Sequence, residues 1–199
     1  LATIITDVDV VTRLLKSHGA LAIWDYGCAA PYLPIDMEVN SEVAKDAIVF
    51  SPHKFPGGPA ASGVMIVRDQ IVKLNQPTLP GGGTVNFVSP WGHTYSNSLS
   101  EREEGGTPNI IGDIRVALAM LVKEALGQKW LIDRQQALRR QALEIWSCNE
   151  RLEILGLKKS NALPILSFRV RDSQGGYIHH QFFTRLLSEK QFTVIDEAH

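Results

Sequence analysis

Apolar and polar positions along the 199-residue chain change their period several times. Residues 2–6 open as an apolar, strand-like run. From Asp7 the period lengthens: Val8, Val11, Leu14 and Leu15 share one helical face through Ser17, with Asp7 placed to cap the helix and Gly19 to stop it. An apolar run over 20–24 follows at once, so 2–24 reads as a strand–helix–strand unit whose right-handed crossover implies parallel pairing. Residues 28–45, with Pro31 and Pro34, read as an exposed connector. A second apolar run, 47–50, predicts a buried strand. The run at 63–67 returns too soon for a helical crossover and is expected antiparallel to it.

Between 76 and 109 no period is sustained, although aromatic residues are frequent. Gly81-Gly82-Gly83 lacks a following Lys-Ser or Lys-Thr and is no phosphate loop of the nucleotide type. The stretch is still longer than a passive connector needs, and long ordered loops tend to carry function. Beyond it, Ile110, Ile111, Ile114, Ala117, Leu118, Leu121 and Val122 form an apolar helical stripe over 109–126, ended by Gly127. A second helix is predicted over 130–154, with Arg134, Arg139 and Arg140 on a solvated face. A strand over 162–170, a helix over 177–189 and a strand over 192–195 complete the pattern. The domain boundary is placed near Gly127, giving 1–127 and 128–199.

Composition narrows the function classes. A hydrophobic content of 44% suffices for a core, and a net charge of −1 with interspersed signs gives no footprint for nucleic acid or an anionic membrane. No apolar stretch is long enough to span a bilayer. Cys28 and Cys148 stand far apart, which argues against a disulfide framework or a zinc site, so no metal is expected and a cytoplasmic, reducing location is. The opening and closing runs both read as strands cut at an edge, which predicts a piece of a longer protein.

The candidate chemistry lies at two strand ends. The run 47–50 passes directly into Ser51, Pro52, His53 and Lys54 and then a turn rich in Gly and Pro. In open α/β sheets ligands bind at such ends. A lysine there, if buried, has a lowered pKa and can form a Schiff base with a carbonyl. The segment alone leaves open the other reading, a solvated loop lysine. Upstream, 20–24 ends in Asp25, followed by Gly27, Cys28, Ala29 and Ala30, small residues that let a backbone or flat ligand approach. Two buried strands ending in opposite charges make a cofactor floor.

Trp24-Asp25, Ile35-Asp36, Ser51-Pro52-His53-Lys54 with Gly58-Pro59, and Glu104-Gly105-Gly106-Thr107-Pro108-Asn109 stand in an order that resembles the class V aminotransferases. These are fold-type I pyridoxal-phosphate enzymes that include cysteine desulfurases and selenocysteine lyases. The resemblance implies an α/β fold: the C-terminal part of a pyridoxal-phosphate-dependent transferase large domain, with a mostly parallel sheet, followed by a small α+β domain. It implies pyridoxal 5'-phosphate as cofactor and Lys54 as the Schiff-base lysine. Asp25 would keep the ring nitrogen protonated, Ser51 and His53 would bind the phosphate, and Thr107 would reach the phosphate site of a partner in a homodimer. The substrate class implied is an amino acid, by transamination or by elimination including desulfuration.

The family often has Gln or His where this chain has Cys28, holding the ring hydroxyl. Arg102 stays open between pairing with Glu104 and facing an anion. Cys148 reads as an inert helical residue, and His179 and His180 as surface. The alternative reading is a catalytically inactive or truncated relative that serves as a dimerisation or interaction module.

Overall fold

Residues 4–156 and 162–190 are described by the computed structural model, and the chain divides into two units, residues 7–128 and residues 1–6 with 129–199. In the first unit, α1 spans Val8–Ser17. The Asp7 carboxylate accepts the Val10 N–H at 3.1 Å and caps it, with Lys16 in the last turn where a cation suits the helix dipole. A short strand β1 (Ile23–Asp25) pairs in parallel with β2 (Ala47–Phe50), placing Asp25 opposite Val49. β3 (Val64–Val67) closes the three-stranded sheet antiparallel to β2, as the short return requires.

Among the described residues of the opening run, none pairs with β1. Ile4 instead bridges Ala162 antiparallel, within the second unit, so the expected strand–helix–strand pairing is not formed among the described residues. The crossover from β1 to β2 is packed at its two ends, while residues 38–42 between them are exposed as expected. Ala30 and Val43 are buried, and the buried Lys45 donates to the Asp36 carbonyl at 2.6 Å. Trp24 Nε1 donates to the buried Thr12 hydroxyl at 2.9 Å, tying α1 to β1. The core gathers Tyr26, Ala30, Ile48, Phe50, Phe55 and Ala119.

The unpatterned stretch holds a hairpin, β4 (Val85–Ser89) with β5 (Gly92–Tyr95), and a short helix α2 (Leu99–Glu103). Phe87 and Val88 are both exposed, so no alternation of buried and exposed positions marks the strand in the sequence. α3 (Ile110–Leu126) ends at Gly127 as predicted, yet the stripe of Ile110, Ile111, Ile114, Leu118 and Leu121 faces solvent. Gly112 and Ala119 are its buried residues. A side chain at 112 would come within 2.5 Å of Ser62 Oγ, and Ser62 N–H donates to the Gly112 carbonyl. Small residues let the helix lie close to the chain that follows the Lys54 turn.

In the second unit α4 (Gln128–Trp146) stops eight residues short of the expected 154, because 152–154 is a strand. That strand, β6 (Leu152–Ile154), pairs antiparallel with β7 (Phe168–Val170), and α5 spans His180–Glu189. Phe168 stands edge-on to both Trp146 and Phe183, at 5.4 and 5.8 Å between centroids. The strand expected over 192–195 lies outside the described residues.

Candidate active site

β1 and β2 run in parallel, so Asp25 and Ser51 emerge from the same end of the sheet. Past Ser51, Pro52 starts a single 3₁₀ turn, Pro52–Lys54, whose fixed φ suits that position. Phe55 then returns to the core, stacked on Phe50 at 6.1 Å, and this anchor leaves Lys54 facing outward. Gly58 completes the turn: a Cβ there would lie 2.0 Å from the Pro52 carbonyl oxygen, so only glycine allows the closure. Its N–H donates to the Phe55 carbonyl at 2.9 Å.

Three functional atoms converge at Gly27. A Cβ on that residue would meet Asp25 Oδ1 at 3.0 Å, Ser51 Oγ at 3.5 Å and Lys54 Nζ at 3.8 Å. The Gly27 N–H donates to Asp25 Oδ1 at 2.6 Å and fixes the carboxylate. Lys54 Nζ donates to Cys28 Sγ at 3.8 Å. The sequence thus brings together a carboxylate, a hydroxyl, a primary amine and a thiol. His53 is exposed on the same turn and Thr107 is exposed ahead of α3; neither supplies one of the three atoms nearest the Gly27 position.

Burial is where the sequence reading needs correction. Asp25 and Lys54 are exposed, and Ile23 is 57% exposed. β1 is an edge of the described sheet and pairs only with β2 there, so its outer side lacks a covering neighbour. Cys28 is exposed as well. Near it, burial pushes the Tyr32 phenol above its ordinary value, and the charge of Cys28 adds to that rise.

The other singled-out residues fall outside this cluster. Arg102 is buried and donates to the carbonyls of Ser96 and Leu74 at 3.1 and 3.4 Å, so it pins the hairpin rather than pairing with Glu104 or facing an anion. Glu103 is exposed but accepts the Thr78 N–H at 3.0 Å, the main cause of its lowered pKa. Cys148 lies past the end of α4, exposed, with its Sγ 3.3 Å from the Glu144 carbonyl. His179 and His180 are exposed and stacked at 4.3 Å. Among the described residues there is no cluster of metal-ligating side chains and no helix long and apolar enough to cross a membrane.

Sequence reasoning missed Lys123. It borders an apolar cavity of about 440 Å³ lined by Ile48, Phe50, Phe55, Ile66 and Met120, behind the Lys54 turn. Its amine donates to the Ala30 carbonyl at 2.5 Å over the Phe55 ring, and burial lowers its pKa. Lys123 stands outside the apolar stripe read for its helix, and nothing in that pattern signals a half-buried amine.

The family model for Aminotransferase class-V matches residues 2–194. The chain belongs to this family. Among class-V relatives, a probable cysteine desulfurase of Staphylococcus aureus (strain N315) is 32% identical over 155 residues, which is 78% of this chain and 36% of that protein. A cysteine desulfurase of Thermococcus onnurineus NA1, solved in its apo form, superposes with a TM-score of 0.83 at 26% identity, covering 96% of this chain and 46% of that one. A cysteine desulfurase of Escherichia coli shares the fold, with a TM-score of 0.73 at 24% identity over 94% of this chain and 44% of that one. The chain therefore has the α/β fold of these class-V enzymes and spans about a third of the length of the curated relatives it matches.

Proposed function

We propose that this chain is the cofactor-bearing part of a pyridoxal-phosphate enzyme that acts on an amino acid, with Lys54 as its Schiff-base lysine. The convergence of Lys54 Nζ, Asp25 Oδ1 and Ser51 Oγ around Gly27 carries the reading. These groups fit the cofactor by kind: an amine for the carbonyl, a carboxylate for the ring nitrogen, a hydroxyl for the phosphate. When bound, the cofactor supplies an electron sink for the carbanion at the substrate Cα.

The chain's own residues do the rest. Asp25, fixed by the Gly27 N–H, holds a negative charge that keeps the ring nitrogen protonated. Ser51 and His53 would donate to the phosphate, and Lys54, once released, holds and moves the proton at Cα. The relatives' names make cysteine the first amino acid to test, with desulfuration weighed against transamination. In this reading 1–127 forms the rear of the large domain, 128–199 belongs to the small one, and the protein works in the cytoplasm.

Thr107 would serve the partner's phosphate site in a homodimer. The exposed apolar stripe of α3, which begins three residues after Thr107, supports an assembly that covers it. That same stripe is the observation that favours the second reading, an interaction module without catalysis.

One experiment tests both. The chain is incubated with pyridoxal phosphate, reduced with borohydride and mapped by peptide mass. Label on Lys54, lost in Lys54→Ala, is the expected result. Label retained in Lys54→Ala would sink the assignment, and no label at all would leave the interaction module standing.

A further inference from the structure

Lys54 projects from a turn flanked by the buried Pro52 and Phe55, and its own side chain is exposed. Among the described residues the Lys54 amine is held by one hydrogen bond, to Cys28 Sγ at 3.8 Å, within the longer reach of sulfur. The backbone that carries the sulfur is held in a turn. Ala29 and Ala30 both donate their N–H groups to the Tyr26 carbonyl, at 3.0 and 2.8 Å, and Tyr26 and Ala30 are buried on either side of Cys28. A flexible four-carbon stem thus meets an acceptor on a rigid turn.

We propose that Cys28 is a positioning residue for Lys54, its thiol holding the amine beside Asp25 and Ser51, so that blocking this one thiol withdraws Lys54 from the carbonyl of a bound cofactor while leaving it open to small aldehydes in solution. The proposal rests on the function assigned above to Lys54. Serine does not replace the thiol here, because a C–O bond is shorter than a C–S bond and oxygen accepts over a shorter distance. Alanine offers no acceptor. Cys148, exposed in the other unit, makes no contact of this kind with a lysine among the described residues.

The probe is methyl methanethiosulfonate, used on a Cys148→Ser chain so that Cys28 is the only thiol. The thiol displaces methanesulfinate and becomes a methyl disulfide, and dithiothreitol reverses the reaction. Two readouts follow at Lys54, each by peptide mass and each normalised to the exposed Lys129. One is the pyridoxyl label after borohydride. The other is reductive methylation by formaldehyde with cyanoborohydride, which needs an amine but no cofactor site.

Blocking Cys28 should lower the pyridoxyl label at Lys54 about fivefold, the factor that one net hydrogen bond is worth, while methylation of the released amine rises by about twofold or more. Dithiothreitol should restore both, and a Cys28→Ser, Cys148→Ser chain should not respond to the reagent. Opposite movement of the two readouts is what simple crowding would not give, and a melting curve unchanged by the reagent sets unfolding apart. An unchanged pyridoxyl label, or a parallel fall in both readouts, would overturn the proposal while the function of Lys54 stands. If the unblocked chain takes no pyridoxyl label, the function fails, and methylation alone decides the contact: no change on blocking overturns it.

Discussion

Lys16 on α1 donates to both carboxylate oxygens of Asp46, at 2.7 and 2.8 Å, and Asp46 Oδ2 also accepts the Ala22 N–H at 2.7 Å. One buried side chain therefore ties the helix and the entry to β1 to the start of β2. Burial by itself would raise the Asp46 pKa. The hydrogen bonds from Lys16 and Ala22, with the charges of Lys16 and Arg68, outweigh it and hold the carboxyl below its ordinary 3.8. A carboxylate with a depressed folded pKa contributes stability that is complete above its unfolded value and lost as pH falls through the folded one. Asp46→Ala should cost about 3 kcal/mol at neutral pH, since it orphans the Ala22 N–H and leaves Lys16 half-buried without its partner. Urea unfolding at pH 7 and again below pH 3.8 checks it: the gap between wild type and variant should narrow in acid.

Asp25 has a different part. Its carboxylate is exposed and fixed by Gly27, so its removal should leave the fold intact while stripping the charge from the cofactor ring. Asp25→Ala is expected to loosen pyridoxal phosphate and to lower turnover by about a hundredfold, the usual loss for one well-placed electrostatic partner. Cofactor retention on gel filtration and steady-state turnover, measured alongside the melting curve, separate the two effects. Unchanged turnover would remove Asp25 from the site.

The parts of the fold that local chemistry dictates were readable from the chain. Asp7 caps α1, Gly127 ends α3, and the short interval between 50 and 64 forces the antiparallel β2–β3 return. The two strand ends that carry Asp25 and the Ser51–Lys54 turn were readable as well, and the parallel pairing of β1 with β2 seen in the structure brings them to one side. Burial was not readable. An apolar run such as 20–24 has the same pattern whether its outer face is covered or bare, and β1 is bare at Ile23. The β4–β5 hairpin escaped notice for a related reason: Phe87 and Val88 both face solvent, so no period of two remains. Leu152 and Ile154 continued an apolar helical spacing beyond Trp146, and only pairing with Phe168 and Val170 makes them a strand.

Thr107 can be tested without knowing the substrate's fate. If it completes the partner's site, a Thr107→Ala chain and a Lys54→Ala chain are each inactive alone but complementary when mixed. A mixed dimer then keeps one intact site, built from Lys54 of one chain and Thr107 of the other. Random exchange makes half the dimers mixed, so roughly a quarter of the wild-type sites should return. Activity that stays at the level of the separate variants would place Thr107 within its own chain's site or outside any.

Gly58 offers the sharpest test of how the turn presents Lys54. A methyl group there would sit 2.0 Å from the Pro52 carbonyl oxygen and 3.0 Å from that of Phe55, and both obstacles are backbone, which cannot swing aside as a long side chain would. Gly58→Ala must therefore open the Pro52–Lys54 turn, withdraw Phe55 from Phe50, or both. The expected cost is about 2 kcal/mol or more, at the upper part of the usual range for an overpacked position. Because Phe55 is the anchor that turns Lys54 outward, borohydride-trapped label at Lys54 should fall with it. Gly63→Ala is the control: no heavy atom lies within 4 Å of its added methyl, so stability and label should both stay near wild type. Equal label in the two variants would mean that Lys54 is held by Cys28 and its surroundings rather than by the closure of the turn.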